Sequence, residues 1–337
     1  MSADDKMSAN GKPRLAMYWA AGCGGCEISV LNTHEFLLDI DAAFDVVFWP
    51  VAIDAKYKDV RAMDDGSIDL CLFNGGIRSD ENEEMAHLLR QKSKVLVAYG
   101  ACASIGSIPA LANFGPSQAI LDTAYETIST ENPNHVRPQP TFAAPEGALH
   151  LPTINPILKT LDQVTQVDYY IPGCPPESTQ VTTVVKLVAQ ALKGEAQLPP
   201  AGSIVGAGTR SVCHECPRTR NVKSIKAFHR IQNLEHIDPC LCLLEQGIPC
   251  NGPATRDGCD ARCPRAGAQC IGCYGPADGV IDYGARLLSA FASVIDARTP
   301  EEIDAILDTL PDVSGQVYRF SLAKSLLRAN KAAWAGR

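Results

Sequence analysis

The chain has 337 residues, 46% of them hydrophobic and 20% charged, with a formal net charge of -8, the composition of a globular protein of about two domains. That acidic balance and the lack of any Lys/Arg cluster argue against a nucleic-acid partner, and no window of roughly 18 apolar residues is present to span a membrane. Its polar N-terminus shows neither a twin-arginine signal nor an apolar export core, so the fourteen cysteines are expected in the reducing cytoplasm, as metal ligands rather than disulfides.

In chain order, residues 1–13 read as a disordered leader. The apolar run from Leu15 to Ala20 breaks into a loop with Cys23 and Cys26, and helical spacing follows over 27–38. Further buried strands are expected at 44–51, 68–76, 94–102 and 167–174. A helix follows the third strand over 81–91. Another follows the fifth, with Pro in its first turn and Gly194 closing it. Strands alternating with helices predict α/β architecture, a flavodoxin-like doubly wound parallel sheet over 14–197. Between the fourth and fifth strands, the Pro-rich insertion at 112–165 reads either as an irregular surface loop or as a partner-docking element. Residues 198–208 have the composition of a linker. Beyond them, 209–337 reads as an irregular cysteine-rich domain with short helices, closed by a helical tail in which Thr299 is an N-cap and Pro300 stands at N1.

Cys23, Cys26, Cys102 and Cys174 each follow a strand, with a glycine within two positions. Ligand sites of open α/β sheets lie at the carboxyl ends of the strands, so topology alone brings these four together. The glycines leave backbone N–H groups free to approach a cluster's sulfides. A phosphate or flavin reading is weak, because the loop lacks G-x-G-x-x-G and the P-loop Lys. Cys71 lies inside an apolar strand and reads as a small core hydrophobe.

Nine cysteines remain, seven of them between Cys240 and Cys273 with few aliphatic residues to bury. Two tetrathiolate sites need eight. The simplest division gives Cys213, Cys216 and two of the 240–250 group to one site, and Cys259, Cys263, Cys270 and Cys273 to the other. Spacing does not decide which two. Arithmetic alone leaves zinc open, as a structural scaffold without redox chemistry, but three thiolate groups in one chain suit a relay of redox centres.

The strings WAAGCGGCE, AYGACASIGSIPAL, PGCPP, CHECPR, CLCLLEQGIPCNGPAT and CIGCYGP closely resemble the small, electron-transferring subunit of nickel–iron hydrogenases over nearly the whole chain. They are similar in particular to the cytoplasmic methyl-viologen-reducing, F420-non-reducing type associated with heterodisulfide reductase. The resemblance implies three 4Fe–4S clusters and a cysteine-rich domain stapled by them. Carried onto this chain, Cys23, Cys26, Cys102 and Cys174 hold the proximal cluster. Cys259, Cys263, Cys270 and Cys273 hold the medial one, and Cys213, Cys216, Cys242 and Cys250 the distal one. Cys240 and Cys71 are left without a ligand role, with Cys240 the rival of Cys242. The implied partners are a nickel–iron large subunit, which carries the catalytic site, a 2Fe–2S delta-type subunit, and a heterodisulfide reductase flavin/iron–sulfur assembly. The alternatives within the family are an F420-reducing or a NAD-reducing hydrogenase.

Periplasmic relatives place His where this chain has Cys213 and Pro near its Cys263. Thiolates at both positions imply low potentials throughout and a 4Fe medial cluster, suited to a ferredoxin-like, flavin or disulfide-linked acceptor. His214 is a rival distal ligand. Glu27 reads as a helix-start carboxylate or as an influence on the proximal site. Residues 222–231 read as a basic helix face, either solvated or docking an acidic partner.

Overall fold

The computed structural model describes residues 11–221 and 225–327. The expected leader falls outside the described residues as far as residue 10. β1 (Arg14–Trp19) runs into α1 (Gly25–Leu31) and α2 (Phe36–Ala43), and β2 (Asp45–Phe48) into α3 (Tyr57–Ala62). β3 (Ile68–Asn74) passes through a short β4 (Ile77–Ser79) into α4 (Asp80–Lys92), and β5 (Ser93–Tyr99) into α5 (Ala101–Ile105). The insertion carries α6 (Gln118–Tyr125), a hairpin of β6 (Thr141–Ala144) and β7 (Gly147–His150), and β8 (Ile154–Lys159). β9 (Tyr169–Ile171) then leads to α7 (Ser178–Leu192) and β10 (Ser203–Ile204).

Six of these strands form one parallel sheet, ordered β10-β9-β5-β3-β1-β2. Counting only strands of that sheet, this is the 2-1-3-4-5 order expected of a flavodoxin-like fold, with a sixth strand at the edge. The near-continuous apolar runs divide by parity, as a strand covered on both faces requires. Leu15, Met17, Leu70 and Leu72 pack with Val30, Ile40, Val181 and Val185 on one face. Ala16, Tyr18, Cys71 and Phe73 pack with Val60, Met85 and Leu89 on the other.

Several expectations need correcting. The helix expected over 27–38 is two helices, because His34 turns left-handed (φ 53°) between them. Pro175 and Pro176 precede α7 rather than occupying its first turn. The N-cap falls on Glu177, whose backbone is extended. Gly194, at φ 77°, closes that helix as expected. The insertion is no irregular loop. Its β8 pairs antiparallel with β4, and the Asn113 side chain clamps Leu158 by accepting from its N–H and donating to its carbonyl, partners 45 residues apart that local periodicity does not report. The stretch expected as linker carries β10, tied by Gly202 N–H to Asp168 and Val205 N–H to Tyr170.

Beyond the sheet lie α8 (Arg262–Arg265), α9 (Tyr283–Ala292), α10 (Pro300–Leu307) and α11 (Val313–Tyr318). The Thr299 hydroxyl caps α10 by accepting from Glu302 N–H, and the Glu302 carboxylate accepts from Thr299 N–H in return. This region has its own core, in which Leu243, Leu244 and Ile248 of the cysteine-rich stretch pack with Tyr283, Leu287, Phe291 and Val317. The stretch therefore buries more than its sparse aliphatic content suggested. Of the helix expected over 222–231, residues 222–224 lie outside the described residues, and 225–230 are not helical. Ile225 bridges Ile295 and Phe228 packs on Phe291, so their helical spacing marks two anchors of an extended segment. The two regions meet through Tyr274 Oη donating to Gln180, an Arg262–Glu177 ion pair and Ser107 N–H donating to Phe320. Among the described residues no helix is long and apolar enough to cross a membrane.

Candidate metal centres

The loop after β1 delivers Cys23, the first turn of α1 delivers Cys26, α5 delivers Cys102, and the segment after β9 delivers Cys174, all at the carboxyl edge of the sheet. Burial pushes the Cys26 thiol up, and the neighbouring Cys102, Cys174 and Cys23 push it further. Cys102 is pushed up to about 12 by burial and then by Cys174, with Cys23 adding to it. Cys26, Cys102 and Cys174 thus feel the charges of their neighbours, Cys23 included, as thiols gathered to share one cationic group would. Gly100 is the tight point of this site. Its φ is +84°, and a Cβ there would stand 2.4 Å from Cys26 Sγ. The Gly25 N–H reaches Cys23 Sγ at 3.4 Å, and the Ser107 hydroxyl points to Cys174 Sγ at 3.8 Å.

Cys213, Cys216, Cys242 and Cys250 line one cavity of about 400 Å³. Burial, then the charge of Cys242, pushes Cys213 up to about 11, while Arg220 pulls it back. Burial pushes Cys250 up to about 12, against hydrogen bonds from the N–H groups of Gly252 and Cys270. Cys240 is exposed and is not part of this wall, its N–H donating to Asp238 and its carbonyl accepting from Thr219. His214 does line the cavity, with its Nδ1 beside the hydroxyl and carbonyl of Ser211.

Cys259, Cys263, Cys270 and Cys273 line a second cavity of about 590 Å³, which Cys174 also borders. Cys273 is pushed up to about 12 by burial, then by Cys259, Cys263 and Cys174. Burial raises Cys270, followed by the charge of Cys250, whose sulfur accepts from Cys270 N–H at 3.4 Å. The third set thus touches the first through Cys273 and Cys174, and the second through Cys270 and Cys250. The third set therefore lies next to both of the others.

These donor sets fit polynuclear iron–sulfur groups better than single ions. A tetrathiolate zinc site, with bonds of about 2.3 Å, draws its sulfurs to about 3.8 Å of one another. Among the described residues no group of three or more His, Cys, Asp or Glu is arranged to hold a metal ion. Cavities of several hundred cubic ångströms walled by soft thiol donors are what a multi-atom cluster requires.

The remaining candidates separate. Cys71 is fully buried in the sheet core and pushed up to about 12 by burial, as a packing residue should be. Glu27 stands in the first turn of α1, but its carboxylate is buried against the sheet. It accepts from Trp49 Nε1 and from Asn74 Nδ2, the latter at 2.7 Å. Burial raises its pKa in spite of those two donors. Nothing local marks those partners, 22 and 47 residues away in sequence. Sequence reasoning also missed Ser107, Gly252 and Glu215, each against a thiol or its loop.

A family model described as NADH ubiquinone oxidoreductase, 20 Kd subunit, matches residues 23–188, the span holding the sheet's thiols. The iron-sulfur subunit of the F420-non-reducing hydrogenase of Archaeoglobus profundus is 39% identical over 325 residues, covering 93% of this chain and 97% of the relative. A subunit of the F420-non-reducing hydrogenase of Methanothermobacter marburgensis is 34% identical, covering 94% and 96% respectively. Among solved structures, the NiFeSe hydrogenase of Desulfovibrio vulgaris Hildenborough superposes with a TM-score of 0.52 at 17% identity, covering 80% of this chain and 95% of that one, a likeness of fold.

Proposed function

The chain belongs to the family of F420-non-reducing hydrogenase iron–sulfur subunits, and on that premise we propose that it is the electron-carrying small subunit of a cytoplasmic nickel–iron hydrogenase. Three 4Fe–4S clusters, when bound, would supply one-electron transfer. Cys23, Cys26, Cys102 and Cys174 would hold the proximal one. Cys259, Cys263, Cys270 and Cys273 would hold the medial one, and Cys213, Cys216, Cys242 and Cys250 the distal one. Hydrogen is split in a partner large subunit, and this chain contributes no bond-breaking residue. Downstream we place a 2Fe–2S delta-type subunit and a heterodisulfide reductase flavin/iron–sulfur assembly.

The observation that carries this reading is the contiguity of the thiol sets: Cys174 borders the cavity that Cys273 lines, and Cys270 N–H donates to Cys250 Sγ. A zinc scaffold has no need of contiguous sites. The chain's own work is to hold these groups in order and to limit their solvation. Cys102, Cys250 and Cys270 are buried, and backbone N–H groups of Gly25 and Cys270 point at ligand sulfurs. Such donors raise a potential, whereas added thiolates lower it. Thiolates at Cys213 and Cys263 would set the balance low at the distal and medial sites.

Iron and sulfide analysis of the anaerobically purified complex, with redox titration followed by electron paramagnetic resonance, tests the reading. About twelve irons per chain, all in low-potential 4Fe signals, are expected. A 3Fe signal in undamaged oxidised protein would overturn the medial assignment, and zinc in place of iron would overturn the function.

A further inference from the structure

One carboxylate in the cysteine-rich region makes contacts that a surface acid does not need. Glu215 lies between Cys213 and Cys216 on one side and the loop bearing Cys259 on the other. Its Oε2 accepts from Gly258 N–H at 3.1 Å. Its Oε1 accepts from Cys259 N–H at 3.2 Å and Ala261 N–H at 3.0 Å, and lies 3.5 Å from Cys259 Sγ. Its own carbonyl takes Arg265 Nη2 at 3.3 Å.

The loop it holds is one that the backbone does not favour. Gly258, Asp260 and Ala261 have φ of 110°, 55° and 46°, a left-handed region that non-glycine residues rarely adopt. Successive N–H groups in such a turn form a concave nest for an anion. Elsewhere such nests take phosphate or a cluster sulfide. Here a side chain from the neighbouring thiol segment fills it, with charge-assisted bonds. The nearby charges have other partners: Arg265 also pairs with Asp260, Arg262 with Glu177, and Asp257 with the N–H and guanidinium of Arg210. Among the described residues no other carboxylate accepts from these three N–H groups.

We propose that Glu215 is a positioning residue for the medial site, an inference that rests on the three-site reading above. By holding the Cys259 loop from the Cys213–Cys216 segment, it makes assembly of the medial thiols depend on the distal ones. Its fixed charge beside Cys259 holds the medial potential down, since negative charge near the ligands opposes reduction.

The test uses Glu215→Ala and Glu215→Gln in the full anaerobic complex, read by iron content and by redox titration of the medial resonance signal. Ala removes every side-chain contact to the loop, and a loss of about four irons per chain is expected, with the medial signal gone and the other two retained. Gln keeps one acceptor oxygen but not the charge, so about twelve irons should remain with the medial midpoint shifted upward. Full iron in Glu215→Ala together with an unmoved medial midpoint in Glu215→Gln overturns the inference alone. If Glu215→Ala yields no folded complex, the midpoint in Glu215→Gln decides by itself. A wild-type protein with far fewer than twelve irons would overturn the three-site reading, and this inference with it.

Discussion

The sheet and the region beyond residue 208 both gather thiols, but they are held together differently. In the sheet, parity along β1, β3 and β5 puts apolar side chains on both faces, and the thiols stand at its carboxyl edge, on loops and on the starts of α1 and α5. Removing them would leave most of that core in place. In the cysteine-rich region, buried polar side chains brace irregular backbone. Arg218 donates to the carbonyls of Pro264, Asp238 and Leu241, and Gln316 donates to Pro249 while sharing a bond with Asn251. Cys250 and Cys270 are themselves among its core residues. A region in which ligands and core coincide couples metal binding to folding, and one in which they are separate does not.

Extraction of iron should break the molecule along that line, and it is the largest effect expected. Hydrogen exchange and limited proteolysis should show residues 209–327 losing protection while α4 and α7 keep theirs. Equal loss in both regions would remove the distinction. Next in size, Gly100→Ala forces a Cβ onto Cys26 Sγ from a left-handed backbone, and about four irons should be lost with the proximal signal while the other eight stay. A loss spread over all three signals would mean that the sheet's site supports the others. Phe73→Ala empties a fully buried position in the sheet and should destabilise denaturant unfolding of that region by about 3–5 kcal/mol, with the iron content of folded protein unchanged. The smallest effect is expected at Cys240→Ser, which should leave iron and potentials as they are, whereas Cys242→Ser should cost the distal signal. A distal change in Cys240→Ser would exchange the two residues' roles.

Much of the sheet was legible because its signals are local. Apolar runs, Gly194 past a helix end and the Thr299–Glu302 capping box depend on residues a few positions apart. The four sheet thiols were legible for a related reason: strand order follows from alternation, and strand ends gather loops. The strands of the insertion and the non-helical course of residues 225–230 were missed where pairing is remote. Asn113 holds Leu158 from 45 residues away, and Ile225 finds its partner at Ile295. The inward turn of Glu27 onto Trp49 and Asn74 has the same origin.

Short stretches of the chain were enough to specify the doubly wound sheet, the thiols at its edge and a cysteine-rich companion, because burial parity, backbone freedom at glycine and thiol chemistry are local properties. It took the folded molecule to place Cys242 rather than Cys240 on the cavity wall, to bring the third thiol set next to the other two, and to lay Glu215 across two of them. Those are distances between segments brought together by packing. Chain spacing does not encode them, because a thiol two positions away in sequence can face solvent while its neighbour lines a buried wall.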